Sequence, residues 1–269
     1  MKLPPGLQRP TFEITGKGSG LPLRWIIYGT EGVGKTSLAA QAPKPIFAMT
    51  RGETGLQTLI DQRRLPEVAH FSDEFTRWED VLSAVEWLIS EDHPYETFIV
   101  DALDGVEELC KEYVRRTQCD GLEDKFEAYQ RGYNMMLTPL RKLLNTFDEL
   151  RSRRRMRIIM LSHSKVETTP NPAGLDYKRF TANIHAKLWP LVRAWADMVL
   201  FYDFFIKVSK DAKATGGQMR LLYPEHSATF DAKNRSGLSA EIDGGTSAQE
   251  AWANIMAALK AAYNNGKEG

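Results

Sequence analysis

Arg24-Trp25-Ile26-Ile27-Tyr28-Gly29-Thr30-Glu31-Gly32-Val33-Gly34-Lys35-Thr36-Ser37 is the stretch that decides how the rest of the chain is read. Its first half is a short apolar run ending in a glycine-rich turn, which suits a buried strand. Its second half opens a helical pattern from Gly34 to about Gln41, stopped before Pro43. Between them, Gly29 to Thr36 satisfies the spacing G-x-x-x-x-G-K-[ST] in full. Glycines at these positions let the backbone wrap an anion with its N–H groups pointing inward, and the following helix N-terminus adds positive potential. The pattern assigns Gly29, Thr30, Glu31, Gly32, Val33, Gly34, Lys35, Thr36 and Ser37 to the phosphates of a nucleotide. Lys35 would reach the β- and γ-phosphates and Thr36 would ligate Mg²⁺.

Working outward, three further apolar runs read as strands: Pro45–Met49, Thr97–Asp101 and Ile158–Leu161. Phe98-Ile99-Val100-Asp101 ends in an acid, as a second Mg²⁺-side carboxylate would. Asp104, three residues on, reads as an N-cap. Glu53 lies a few residues past the second strand, where it could orient and deprotonate an attacking water or stand as a solvated loop residue. His163, in Ser162-His163-Ser164 after the fourth strand, fits either a γ-phosphate sensor or a histidine satisfied at a strand end.

Helices are expected near 104–116, 127–150 and 185–195, with capping boxes at Thr76/Glu79 and Ser247/Glu250 opening two more. Residues 164–184, polar and carrying Pro170, Pro172 and Gly174, read as a long loop. Met198–Phe201 reads as a strand, and Phe204–Val208 with Met219–Tyr223 as a hairpin around a flexible tip. The expectation is an α/β fold: a mainly parallel central sheet flanked by helices, with an antiparallel hairpin at its edge. The domain layout is a lead-in over 1–20, a core over 21–240, and a C-terminal helix and tail over 241–269.

Composition narrows the class. The chain has 269 residues, and its 35 Lys+Arg against 35 Asp+Glu exclude a uniformly basic nucleic-acid binder. Two cysteines exclude a disulfide framework and fit a reducing cytosol. No apolar run approaches the ~18 residues a membrane helix needs, so a cytoplasmic protein without a membrane partner is expected. The zero charge is uneven: residues 73–127 hold 17 acids and 5 bases, and residues 151–193 hold 10 bases and 2 acids. The blocks could pair with each other, or the basic one could face a polyanion. Arg151, Arg153, Arg154, Arg155 and Arg157 either complement a helix end or contact nucleic acid. Lys233-Asn234-Arg235-Ser236-Gly237 is either a surface turn or a source of cationic fingers, Lys233 and Arg235, for a neighbouring subunit.

Taken in order, these pieces resemble the RecA-like P-loop ATPases over about residues 21–240. The chain is most similar to the small phage-encoded ATP-binding proteins of the Sak-type single-strand annealing and recombination group. The residues that carry the resemblance are Gly29–Ser37, the Glu53 region, Phe98–Asp101, Leu161-Ser162-His163, the 171–177 loop and Ala196–Leu200. Lys233-Asn234-Arg235-x-Gly237 also resembles the Lys-Asn-Arg-Phe-Gly motif of RadA and its relatives, with Ser236 in place of Phe. The resemblance implies a Mg²⁺-dependent ATPase that assembles into a homo-oligomer with ATP between subunits. It also implies single-stranded DNA near the 164–187 loop, and host cytoplasm if the protein is phage-encoded. A nucleotide-gated interaction or loader module with little hydrolysis is the alternative. A small-molecule kinase is disfavoured because the arginine cluster precedes a core strand, and a GTPase because no Asn-Lys-x-Asp occurs.

Overall fold

The computed structural model describes residues 19–265 except 210 and 212. The expected lead-in up to residue 18, part of the hairpin tip and the tail from Gly266 lie outside the described residues. The phosphate-loop strand β1 (Arg24–Gly29) and helix α1 (Lys35–Ala39) form as expected, the helix two residues shorter at its C-terminal end. There follow β2 (Pro45–Met49), α2 (Gly55–Asp61), β3 (Ala69–His70), α3 (Trp78–Ser90), β4 (Thr97–Asp101) and α4 (Leu103–Gln118). Next come α5 (Glu123–Glu127), α6 (Arg131–Arg154), β5 (Arg157–Thr169), β6 (Tyr177–Ala182) and α7 (Trp189–Trp195). The chain closes with β7 (Met198–Val208), β8 (Ala214–Tyr223), β9 (Lys233–Asn234), β10 (Ile242–Asp243) and α8 (Ala248–Asn265).

The main sheet runs β10-β8-β7-β1-β5-β4-β2-β3. From β7 to β3 every pairing is parallel, whereas β8 and β10 add an antiparallel edge. Alternation within each strand explains why the central runs are apolar throughout: both faces are covered. Ile26, Tyr28, Phe98, Val100, Ile158 and Met160 pack under α3, α4, α6 and α7. Trp25, Ile27, Phe47, Ile99, Ile159 and Leu161 pack under α1, α2 and α8. Because these strands are parallel, β1, β2, β4 and β5 run toward one edge, where Lys35 opens α1, Glu53 lies in the loop after β2, Asp101 ends β4 and His163 pairs with Gly29.

Several local expectations are corrected. Residues 164–184 are not a long loop: β5 continues to Thr169 and pairs antiparallel with β6 from Ser164↔Ala182 to Thr169↔Tyr177. Lys165-Val166-Glu167-Thr168-Thr169 has the period-2 alternation of a strand, and only the Pro170–Gly174 segment turns. Helix α3 starts at Trp78, and it is Asp80, not Glu79, whose carboxylate accepts the N–H groups of Thr76 and Arg77 at 3.0 and 2.8 Å. Ser247 caps α8 through the Glu250 N–H at 3.1 Å, but Glu250 reaches back to Thr246, not to Ser247. Asp104 is not a cap: α4 opens at Leu103 with Ala102 before it.

The arginine cluster is structural in this fold. Arg151 donates to the Pro22 carbonyl, Arg154 to the Ile89 and Glu91 carbonyls, and Arg155 to the Gly20 carbonyl. Arg153 pairs with Glu149 at 2.8 Å, and the Arg157 guanidinium lies 5.1 Å from the Trp25 ring and 5.5 Å from Trp252. A second hub forms where β7 begins. Asp197 accepts from the Arg24 backbone N at 2.9 Å, Nε at 3.1 Å and Nη2 at 2.7 Å. Burial pushes the Asp197 carboxyl up, but the Arg24 hydrogen bonds outweigh it and hold the group below the usual carboxylate range.

Asp197→Ala would strand Arg24, which keeps only Asp148 at 3.1 Å. We expect a loss of about 3 kcal/mol in denaturant unfolding, the low end for a broken buried pair because Asp148 remains. The folded pKa lies below the unfolded one, so this contribution is full above the ordinary carboxylate pKa. It is lost as pH falls through the depressed value. The acid-range pH dependence of stability should therefore flatten in the variant.

Candidate functional site

The phosphate loop is shaped by its glycines. A Cβ on Gly29 would sit 1.8 Å from the Tyr202 carbonyl oxygen of β7, so only glycine lets the two strands meet there. Gly34 has φ 102° at the start of α1, a left-handed conformation that favours glycine. Thr30 donates to Asp203 Oδ1 at 2.7 Å, which ties the loop to β7.

Lys35 Nζ donates to the Gly29 and Thr30 carbonyls, both at 3.0 Å. Its burial lowers its pKa, opposed by the carboxylates of Asp101, Asp104, Glu53 and Glu31. Thr36 Oγ1 donates to Asp101 Oδ2 at 2.8 Å, joining two residues 65 positions apart at the base of the loop. Asp101 is buried, and that burial raises its pKa despite the Thr36 hydrogen bond and Lys35. A hydroxyl beside a carboxylate that lacks full charge compensation is a hard-oxygen pair, which fits Mg²⁺. Thr36 and Asp101 are the residues that would hold it.

Glu53, Asp104 and His163 converge on the same wall. His163 Nδ1 lies 2.7 Å from Asp104 Oδ2 and 4.0 Å from Glu53 Oε1, and the His163 backbone N–H donates to Asp104 Oδ1 at 3.2 Å. The Asp104 hydrogen bond raises the His163 pKa above the usual histidine value, against its burial. Burial pushes Asp104 up, but the His163 hydrogen bond outweighs it and the carboxyl ends below its usual value. Glu53 is raised, first by burial and then by Asp101. In Asp104→Asn the His163 imidazole should titrate at lower pH, read by NMR of its ring protons. An unmoved titration would show that Asp104 does not set its charge.

One cleft is lined by Glu31, Gly32, Lys35, Thr36, Glu53 and Asp101, with Ser37 and His163 at the same opening. The structure thus brings Glu31, Gly32, Gly34, Lys35, Thr36 and Ser37 of the predicted phosphate loop together with Glu53, Asp101 and His163, while Gly29, Thr30 and Val33 do not line this cleft. It does not bring Lys233 and Arg235 there. β9 pairs with the first residues of β7, Lys233↔Val199 and Asn234↔Met198, whereas the phosphate loop lies at the far end of the neighbouring β1. Lys233 Nζ donates to the Arg193, Ala194 and Ala196 carbonyls at 2.7, 2.9 and 2.5 Å, closing the end of α7. Its burial there lowers its pKa to about 8. Arg235 stays half-exposed, with contacts to the Ala194 carbonyl and Asp197. Sequence reasoning missed the role of Asp104 as the partner of His163; an acid at the very start of a helix looks like a cap unless the neighbouring strand is known.

A strand–phosphate loop–helix with a hydroxyl–carboxylate pair beneath it, on a mainly parallel sheet, defines a nucleotide-binding ATPase fold. A family model described as "AAA domain" matches residues 21–236, and the chain belongs to that family. No curated protein matches it. Among solved structures, that of the RadB recombinase is similar at 12% identity and a TM-score of 0.44, over 76% of this chain and 80% of that one. Among the described residues, no helix is long and apolar enough to cross a membrane.

Proposed function

We propose that the protein is a Mg²⁺-dependent ATPase that couples hydrolysis to the β5–β6 hairpin and acts on single-stranded DNA in phage-type recombination or annealing in the cytoplasm. The observation that carries the ATPase part is the placement of Glu53 and His163 on the wall that also holds Lys35 and the Thr36–Asp101 pair. Glu53, its pKa raised by burial, would take the proton of a water attacking the γ-phosphate. Lys35 and His163 would stabilise the charge that develops on the transferred group. Thr36 and Asp101 would hold Mg²⁺, which would supply charge neutralisation to the phosphates.

The coupling part rests on adjacency. The hairpin begins at Ser164, one residue past His163; the Asn183 N–H donates to the His163 carbonyl at 2.8 Å, and Lys165 Nζ to the Ile184 carbonyl at 2.6 Å. A shift at His163 therefore moves both hairpin strands at their base. With most of the basic block engaged inside the fold, Lys178 beside Tyr177 is the exposed cation on the outer hairpin. Lys233 gives its ammonium donors to three carbonyls at the end of α7, so Arg235, at the opposite end of the strands, is the residue that could meet ATP, and only on a neighbouring subunit. Such a role for Arg235 requires a head-to-tail homo-oligomer with the site at its junction.

Single-stranded DNA should raise the ATP turnover rate, and its binding should weaken between low and moderate salt because phosphate contacts release counterions. Leu175, 92% exposed at the hairpin turn, and Val166, 54% exposed, favour the second reading, a nucleotide-gated module whose hairpin docks a protein. Turnover that DNA does not change, with no salt-sensitive binding, would replace the first reading by the second.

A further inference from the structure

Beside the phosphate cleft lies a second cavity of ≈ 210 Å³, and the phosphate loop is the only predicted part of the site that lines it among the described residues. The two are continuous: Gly32, Gly34, Ser37, Leu59 and Arg64 line both. Its far wall is made of Tyr202, Arg220 and the start of α8. Thr246, Ser247, Ala248 and Gln249 lie beyond residue 236, where the family match ends.

This wall is polar and short of partners. Tyr202 is 2% exposed and lines the cavity, and its hydroxyl has no hydrogen-bond partner among the described residues. Arg220 Nε is buried without a hydrogen-bond partner, its guanidinium 5.4 Å from the Phe204 ring. At the start of the 18-residue α8, Ser247 takes the Glu250 N–H and its carbonyl takes the Ala251 N–H. The N–H groups of Ala248 and Gln249 remain without an acceptor, as first-turn donors do until a ligand meets them. Val33, Leu59 and Leu65 give the same cavity an apolar side. Packing fixes the position of α8: Ala251 and Ile255 are buried, and the Trp252 ring lies 5.3 Å from Trp25.

We propose that α8, with Tyr202 and Arg220, forms a compartment that takes the purine nucleoside end of the nucleotide whose phosphates the loop holds. The inference rests on the phosphate-loop reading above. Its chemistry is that of the ligand: a flat apolar ring for Val33, Leu59 and Leu65, and ring-nitrogen and ribose acceptors for a wall of donors. The C-terminal helix thereby becomes part of the nucleotide site, and occupancy of the base compartment would hold α8 in place.

The test compares ATP with inorganic tripolyphosphate, which has the phosphates and no nucleoside, by calorimetric titration on the full chain. Tyr202→Phe keeps the side-chain bulk, so it should fold; Arg220→Ala removes the guanidinium. Arg220→Ala should weaken ATP binding about 10-fold and Tyr202→Phe a few-fold, while tripolyphosphate binding stays at the wild-type value. Hydrogen exchange at residues 246–252 should slow with ATP and not with tripolyphosphate. Unchanged ATP affinity in Arg220→Ala and Tyr202→Phe, or equal losses for both ligands, would overturn the compartment. If Lys35→Ala left both ligands bound as in wild type, the phosphate-loop reading itself would fail, a different outcome from the first.

Discussion

Glu53→Gln is expected to lower ATP turnover by about 10²–10⁴-fold, the range for loss of a positioned general base. Nucleotide affinity should stay within a few-fold of wild type, because Glu53 contributes no phosphate ligand. The size of the effect follows from its setting: Glu53 faces Asp101 across the cleft and stands 4.0 Å from His163 Nδ1, so the amide cannot replace its proton acceptance. The pH profile gives an independent reading. Burial and Asp101 raise the Glu53 pKa, and the base works only when ionised, so turnover should fall on the acid side at a pH above the usual carboxylate value. That acid limb should be missing from the residual rate of Glu53→Gln. A variant that turns over ATP at the wild-type rate would move the water-activating role elsewhere.

Lys35→Ala should have the larger effect, removing turnover and weakening binding together. Lys35 is the one cation of the loop, half-buried among the carboxylates of Asp101, Asp104, Glu53 and Glu31. Without it the cleft presents those acids to a polyphosphate with Arg64 as the remaining strong cation of its lining, and both ground-state and transition-state charge are poorly compensated. We expect turnover at background and ATP affinity reduced by at least 10-fold, measured by phosphate release and by titration. The fold should survive, since the Lys35 ammonium contacts only the Gly29 and Thr30 carbonyls.

Much of this site was legible before any coordinates. The Gly29–Ser37 spacing and the strand ending in Asp101 are local patterns, and local patterns survive folding unchanged. The central sheet was legible for a related reason: Trp25–Tyr28, Phe98–Val100 and Ile158–Leu161 are apolar on both faces, which a strand covered by helices on two sides requires. What escaped depends on partners distant in the chain. The fate of the arginine cluster was open because Arg154 finds the Ile89 carbonyl and Arg157 finds two tryptophans, none of them near in sequence. The β5–β6 hairpin was hidden by its proline-containing turn, which made two pairing strands look like one polar loop. Asp104 was misjudged because β5 alone supplies the histidine it binds.

The central claim is that this chain hydrolyses ATP at its phosphate loop. Phosphate release from ATP by the purified wild-type protein with Mg²⁺, run beside Lys35→Ala, tests it most directly. The account predicts steady release by the wild type and background release by the variant. A wild-type rate no higher than background, or equal rates for the two proteins, would contradict it.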